Sequence, residues 1–484
     1  MVNKIFVLHN LKGLEYDIYG LFKAFLPEFT VKILMVDEFN DDYDDTAWTL
    51  KKTVDKIILS FYEKNKNIFT KDFSVLSNID DINYKNDIKR YVYFTLSEYY
   101  NKTLSWGTLT GIRPIKLISG ILNSTQNLDK AFKTASDEYL ISEEKIKLSL
   151  DIAKRQKPIL DRYMYNNYSL YISVPFCPTI CSYCSFSSGT YKAARGFIEN
   201  YVDCLCKEIE FVAGIVKDEP CCIYIGGGTP SVLETVYLIK LFDTLNKCFD
   251  LNSVKELTFE AGRPDSFDKE LFEVLKGFNI SRLSINPQTM NEKTLKKIGR
   301  SHSFDDIIKA FDMAVSYGYD NINSDIIIGL PGEDINDLEY TLDTVLKLPI
   351  KSLTVHSLSV KKGSKLKENI DSYNYIINKD IENFNELCIN KITEKNMFPY
   401  YLYRQKDIVG NLENIGYSYP SYEGIYNVLI LEEKHNIIGV GAGAVTKLVK
   451  GSLINRIPNI KDALLYTVRF NEMIDRKMII GDFL

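Results

Sequence analysis

The sequence predicts an α/β chain: a core of parallel βα units, an α+β segment before it and a mostly helical stretch after it. Three observations carry this expectation. From Ser169 onward, short apolar runs alternate with amphipathic helical stretches, the pattern of strands buried on both faces beneath helices. The first run leads directly into Cys177-Pro-Thr-Ile-Cys181-Ser-Tyr-Cys184, three cysteines in C-x3-C-x2-C spacing. Residues 1–160 hold no cysteine and follow a different pattern. The expected organisation is therefore 1–160 as an amino-terminal α+β extension, 161–365 as the core and 366–484 as a carboxyl-terminal domain.

In the extension, Lys4 to Leu8 reads as a strand, Glu15 to Phe25 as a helix and Phe29 to Val36 as a second strand. Asp37 to Asp45 is an acidic, turn-rich loop. Thr49 to Tyr62 and Asp87 to Asn101 carry apolar residues at helical spacing. Trp106-Gly-Thr-Leu-Thr-Gly-Ile-Arg113-Pro-Ile-Lys116 reads either as a helix-entry turn or as an anion-binding loop. Ser142 opens another helix through about Arg155, and Lys157-Pro158 marks a boundary.

Six strands are expected in the core: Leu170 to Val174, Cys222 to Ile225, Glu256 to Phe259, Arg282 to Ile285, Asn321 to Ile328 and Ser352 to Ser359. Ligands of parallel sheets gather at the carboxyl ends of the strands, and the notable residues fall there. The cysteine loop follows the first strand. Gly226-Gly-Gly-Thr229-Pro-Ser231 follows the second, with bare backbone that permits close approach of a ligand; it has neither the P-loop nor the dinucleotide-fold spacing. Glu260-Ala-Gly-Arg263, Asn286-Pro-Gln288 and Asp325 with Gly329-Leu-Pro-Gly332 end the next three. Each polar residue alone could be a cap or a solvated turn; their joint placement marks a site.

Thiolates are soft ligands suited to iron-sulfur clusters, and a cubane needs four, so three cysteines on one loop leave one iron open. Structural zinc would want a fourth Cys or His nearby, and the loop has none. Three clustered cysteines cannot all pair as disulfides. The other six of nine, Cys204, Cys206, Cys221, Cys222, Cys248 and Cys388, read as small buried hydrophobes.

With 484 residues, 45% hydrophobic and 25% charged, the chain has the composition of an ordinary globular protein. Its net charge of -5 gives no global attraction to nucleic acid. No apolar run approaches the roughly 20 residues of a membrane span, and the first residues do not form a signal peptide. The expectation is a cytoplasmic protein with no membrane or nucleic-acid partner.

The cysteine array and its aromatic-rich surroundings resemble the radical S-adenosylmethionine (SAM) superfamily, which implies a partial (β/α)6 barrel, a [4Fe-4S] cluster on Cys177, Cys181 and Cys184, and SAM chelating the open iron. In that chemistry an electron from the reduced cluster cleaves SAM, and the resulting 5'-deoxyadenosyl radical abstracts hydrogen from substrate. Tyr171-Ile-Ser-Val-Pro-Phe-Cys, Ile225-Gly-Gly-Gly-Thr-Pro-Ser, Arg282-Leu-Ser-Ile-Asn-Pro-Gln and Ile328-Gly-Leu-Pro-Gly are similar to the oxygen-independent coproporphyrinogen III oxidase (dehydrogenase) family. Trp106 to Lys116, Tyr401-Leu-Tyr-Arg404-Gln-Lys and Gly410-Asn-Leu-Glu-Asn-Ile-Gly416 resemble its HemZ branch.

The resemblance implies that Tyr171, Gly227, Glu260 and Val445 contact the cluster-bound SAM. It implies a second SAM against Tyr183, Gly228, Thr229, Gln288, Arg300, Asp325 and Ser359. It also implies a porphyrinogen substrate in heme biosynthesis and a low-potential electron donor of flavodoxin or ferredoxin type. Four substrate carboxylates call for cations, and Arg113, Arg263 and Arg404 are candidates, although taken one at a time such an arginine is more often a surface or structural one. Two departures stand out. Phe186 occupies the position of a fourth cysteine found in the oxidases, as in the heme-carrier relatives. Those relatives have a His-Asn-x-x-Tyr-Trp heme motif where this chain reads Glu413-Asn-Ile-Gly-Tyr417-Ser418. A heme-binding or heme-delivery protein is thus the alternative to an oxidative decarboxylase. An RNA-modifying radical SAM enzyme is a third reading, disfavoured by the lack of an arginine-rich segment.

Overall fold

Alternation of apolar and polar residues builds the amino-terminal sheet, in the order β2-β1-β3-β4-β5. Its strands are β1 (Lys4–His9), β2 (Thr30–Met35), β3 (Ala47–Lys52), β4 (Lys56–Glu63) and β5 (Lys66–Ser74). Ile5 and Val7 of β1 share a buried face with Ile18, Leu21 and Phe22 of the helix Glu15–Phe25. Trp48 is fully buried there, edge-on to Phe22 at 5.9 Å and to Tyr99 of the helix Ile82–Tyr100 at 5.3 Å. The computed structural model describes residues 4–39, 46–74, 82–111, 113–164, 168–186, 189–361, 363–369, 381–405, 408, 412–451 and 453–483. Most of the acidic loop 37–45 and residues 410–411 of the Gly410 to Gly416 motif lie outside them.

Two expectations for this region fail. Thr49 to Tyr62 forms not a helix but most of the β3–β4 hairpin, registered from Ala47↔Tyr62 to Lys52↔Ile57. The run Ile57-Ile-Leu-Ser-Phe-Tyr62 is rich in residues that favour a pleated surface, and Thr53 Oγ1 accepts from Lys56 N at 3.1 Å to close the turn. The helix expected from Ser142 through about Arg155 continues past Pro158. The helix Glu143–Tyr163 runs through it, with the ring on the exposed side where water can satisfy the carbonyl it leaves unpaired. The Trp106 to Lys116 stretch is a helix-entry turn: Pro114 opens the helix Pro114–Thr125, the position where its missing N–H costs nothing.

Residues Met1–Ala153 with Arg404–Asn411 form one compact unit, and Lys154–Tyr403 with Leu412–Leu484 form the other. The second is organised on an eleven-stranded sheet. Its central strands are β6 (Tyr168–Val174), β9 (Cys222–Gly227), β10 (Glu256–Gly262), β11 (Arg282–Ile285), β12 (Ile322–Ile328) and β13 (Ser352–Ser357), all parallel, with the short β7 (Phe176–Cys177) and β8 (Gly189–Thr190) pairing after β6. These central strands coincide with the six expected from sequence. Their residues are buried almost without interruption, and the helices Ile198–Ile215, Thr235–Cys248, Lys269–Lys276 and Phe304–Ser316 pack in succession along the sheet.

The stretch after residue 366 differs from the mostly helical expectation. It adds β14 (Phe398–Tyr403), β15 (Asn414–Ser418), β16 (Asn436–Val440), β17 (Val445–Lys450) and β18 (Leu453–Pro458) to the same sheet. β16 joins β6 in parallel, β17 and β18 extend that edge antiparallel, and β15 and β14 extend the other edge from β13. Aromatic and β-branched residues at alternating positions, as in Phe398-Pro-Tyr-Tyr-Leu-Tyr403, carry the strand signal.

A buried ion pair fixes the end of this unit. Lys477 Nζ lies 2.9 Å from Glu208 Oε1, both side chains fully buried. Glu208 also accepts from Gly441 N at 2.7 Å, Tyr466 OH at 2.6 Å and Asn459 Nδ2 at 2.8 Å. Lys477→Met should destabilise the protein by about 3–5 kcal/mol, because it strands a buried carboxylate, whereas the double change with Glu208→Met should recover much of that loss. Denaturant unfolding of the three proteins measures the difference.

Candidate active site at the carboxyl ends of the strands

The cysteine loop is held at both ends by polar contacts. Cys177 sits in the β7–β8 ladder opposite Thr190, and its Sγ accepts from Thr229 Oγ1 at 3.4 Å. Cys184 N donates to Cys181 O at 3.1 Å, which closes the turn between the second and third thiols. Thr179, between the first two, donates from Oγ1 to Gly299 O at 2.7 Å. Burial pushes the Cys184 thiol up to about 11, with Cys181 and Cys177 adding to the shift, so the three sulfurs face one another electrostatically. All nine cysteines are present as thiols. Among the described residues no three His, Cys, Asp or Glu converge as ligands of a single ion; in a four-iron cluster each thiolate binds a different iron, and three thiols on one braced loop fit that group.

Arg263, expected as a substrate cation, has another task. Its Nε and Nη2 donate to the Asp265 carboxylate at 2.9 and 2.6 Å, and Nη1 donates to Thr179 Oγ1 at 2.6 Å and Thr179 O at 3.1 Å. Its fork is spent on bracing the cysteine loop. Arg113 and Arg404 belong to the first unit, where Arg404 donates to Leu109 O at 2.6 Å and lies over the Trp106 ring.

The glycine turn closes against the same loop. Gly227 has φ of +104°, and a side chain on Gly228 would collide with the Phe176 backbone. Gly228 N and Thr229 N donate to Val174 O and Phe176 O at 2.8 and 2.7 Å. Beside it, Tyr224 OH donates to Glu260, and the rings of Tyr171, Tyr224 and Tyr426 lie nearly parallel, 4.6 to 6.5 Å apart. Burial, reinforced by the charge of Asp325, pushes Glu260 up to about 7.

Asp325 is itself stabilised as the anion. Burial would raise it, but His356 Nε2 at 3.5 Å and Asn323 Nδ2 at 2.9 Å hold its carboxyl below the usual range. Tyr403 OH lies 3.3 Å from the other ring nitrogen of His356. Gln288 is in the left-handed region at φ +69°, unusual for a residue with a side chain, pinned by Gln288 N to Asp325 O and Ile327 N to Gln288 O, both 2.9 Å. Its buried Oε1 has no partner among the described residues, and neither has Nε of the buried Arg300. Arg300 Nη1 donates to Asn286 O at 2.6 Å and Nη2 approaches Tyr183 OH at 3.4 Å. A strained residue and two unsatisfied buried groups at strand ends fit a polar ligand such as SAM. Ser359 is buried just beyond β13, and Val445 is exposed at the start of β17.

The sequence reading missed His356, Tyr224 and Asp265. His356 is one of four histidines and lies near the carboxyl end of a strand, and Asp265 follows Arg263 at i+2; both signals were present in the sequence.

The Radical SAM superfamily profile matches residues 171–345. Over 425 residues, 86% of this chain and 84% of the relative, the chain is 37% identical to the "oxygen-independent coproporphyrinogen-III oxidase-like protein HemZ" of Bacillus subtilis. The chain belongs to the HemZ family of radical SAM proteins. Within this family setting, it is also 36% identical over 195 residues to the heme chaperone HemW of B. subtilis, covering 40% of this chain and 51% of that one. Escherichia coli coproporphyrinogen III oxidase HemN superposes with a TM-score of 0.53 at 20% identity, over 66% of this chain and 73% of that structure, and so shares the radical SAM α/β fold. Membership implies a [4Fe-4S] cluster and SAM. No helix among the described residues is long and apolar enough to cross a membrane.

Replacing Cys177, Cys181 and Cys184 together by Ala should reduce iron from about four per chain to near zero in anaerobically purified protein. Glu260→Gln should keep the cluster spectrum and weaken SAM binding about tenfold or more, the scale of one charged hydrogen bond. Its stability effect has a defined sign. A carboxyl raised from 4.5 to about 7 contributes stability that is fully present below pH 4.5 and lost as pH rises through about 7. Glu260→Gln should therefore gain on the wild type, by on the order of 2 kcal/mol, between pH 5 and pH 8 in cluster-free unfolding experiments.

Proposed function

We propose that this protein oxidatively decarboxylates two propionate side chains of coproporphyrinogen III to vinyl groups, giving protoporphyrinogen IX without oxygen. Each propionate loses a hydrogen atom from its β-carbon, carbon dioxide and one electron, the electron passing to an acceptor outside the chain. The cluster and SAM, when bound, supply the one-electron chemistry that removes an unactivated hydrogen. The chain's own residues bind and orient: Glu260 offers a carboxylate to ligand hydroxyls, Asp325 a carboxylate kept ionised by His356, and Gln288 and Arg300 unsatisfied polar atoms. The proposal includes a second SAM at the Gln288, Arg300 and Asp325 side, and keeps Arg113 and Arg404 as candidate partners of substrate carboxylates.

The observation that carries the decarboxylase over the carrier is the state of the heme-motif positions. β15 is a doubly paired interior strand whose residues Asn414 to Ser418 are all buried. Glu413 is buried too and accepts from Asn385 Nδ2 at 2.8 Å. These positions offer no imidazole and no open face to a porphyrin. Phe186, 73% exposed where the oxidases have a fourth cysteine, and the similarity to HemW support heme delivery as the second reading.

Anaerobic incubation with SAM, a low-potential reductant, an electron acceptor and coproporphyrinogen III, followed by mass spectrometry, tests the choice. Stepwise loss of two carboxyl groups is the expected outcome. Unaltered tetracarboxylic porphyrin from cluster-loaded protein that still cleaves SAM, together with stoichiometric heme binding, would replace the decarboxylase with the carrier.

A further inference from the structure

The outer side of the cysteine loop is bordered by three short segments that carry cations. Ser182 N donates to Ile298 O at 2.9 Å, directly after Lys296 and Lys297 of the helix Glu292–Lys297. Leu366 N donates to Ser182 O at 2.8 Å, between Lys365 and Lys367 of the helix Lys365–Glu368. The β7–β8 ladder places Thr190 opposite Cys177, and Lys192 and Arg195 follow in and just after the helix Tyr191–Ala194. All six cations are exposed. Among the described residues none pairs with a carboxylate, whereas exposed lysines elsewhere in the unit do, as in Lys247–Glu210 and Lys157–Asp161. The same segments hold two exposed carboxylates, Glu292 and Glu368. A local excess of positive charge on a chain of net charge -5 is a concentrated feature, not a reflection of composition.

We propose that this collar is the docking surface for an acidic one-electron carrier protein that reduces the cluster. The inference rests on the cluster reading and is independent of the substrate. An electron must reach the cluster from outside, and its transfer falls steeply with distance, so the donor has to seat beside the loop. Cys177 and Cys184 are partly exposed there, and Phe186, two residues after Cys184, adds an exposed apolar side chain to the same loop. A nucleic acid would meet the same cations, but six of them on segments that adjoin a redox loop match the small footprint of an electron-transfer encounter.

The test uses full-length, cluster-loaded protein with no porphyrinogen present, so its outcome is independent of the decarboxylation assay. The variant is Lys296→Glu, Lys365→Glu, Lys367→Glu; the control, Lys207→Glu, Lys276→Glu, Lys347→Glu, makes the same charge change at exposed positions elsewhere in the unit. Stopped-flow bleaching of the cluster by flavodoxin hydroquinone at low salt should slow about tenfold or more in the collar variant and lose its salt dependence. Bleaching by dithionite, and flavodoxin reduction of the control, should change less than about threefold on the same electrostatic grounds. Calorimetry of oxidised flavodoxin with the cluster-free protein should show the matching loss of affinity. Wild-type flavodoxin rates in the collar variant, an equal slowing of the control, or an equal slowing with dithionite would overturn the proposal. Salt-sensitive binding of an RNA oligonucleotide, lost in the collar variant while flavodoxin reduction is unchanged, would assign the collar to nucleic acid instead.

Discussion

The bidentate pair of Arg263 with Asp265 is the constraint on which the site depends. A loop that must turn three thiols toward one centre cannot fold its own side chains into a hydrophobic core, so its shape has to be imposed from outside. Arg263, from the end of β10, reaches under the loop and holds Thr179 by two further hydrogen bonds. Asp265 fixes the guanidinium plane, and its Oδ1 lies 3.6 Å from Nδ1 of His302, two residues after Arg300. Arg300 in turn approaches Tyr183, between the second and third cysteines. The loop is thus gripped from two neighbouring strand ends by rigid planar groups, and a lysine in either place could not reproduce the fork.

Charge is distributed around this scaffold with a clear inside and outside. Glu260 and Asp325 share one recess, and their mutual repulsion is resolved by giving them different neighbours: a tyrosine hydroxyl and desolvation for Glu260, an imidazole and an amide for Asp325. The result is two carboxyls of opposite protonation tendency a short distance apart. Glu260 is thereby raised toward neutrality, while Asp325 is held below the usual carboxylate range.

Much of this was legible in the sequence because parallel strands advertise themselves. Runs such as Leu170 to Val174 and Cys222 to Ile225 are largely apolar, short and followed at once by proline or glycine, and the functional residues come next. The failures have a common cause: sequence periodicity is weak evidence where a segment is stabilised by a distant neighbour. Thr49 to Tyr62 has apolar residues that fit either a helix or a hairpin, and the sheet decides. The strands beyond residue 366 exist because β13 and β6 offer free edges, which no local window reveals. The structural contacts of Arg263 were hidden for the same reason. Its spacing showed a cation at a strand end, but only the fold brings Thr179 to it, across more than eighty intervening residues.

The Glu208 network adds an order of events to the fold. Gly441 and its neighbours turn back against the end of β6, where Ser173 Oγ donates to Ala442 O at 2.7 Å, and so form part of the rim beside the cysteine loop. The carboxylate behind that rim belongs to the helix Ile198–Ile215, but its cation, Lys477, follows much later in the chain. A nascent chain can assemble the six parallel strands and present its thiols while Glu208 is still without its counter-charge and Gly441 has yet to be made. Completion of that rim is thereby postponed until the segment carrying Lys477 has been made, and a chain interrupted before it would carry a cysteine loop with an unfinished neighbour.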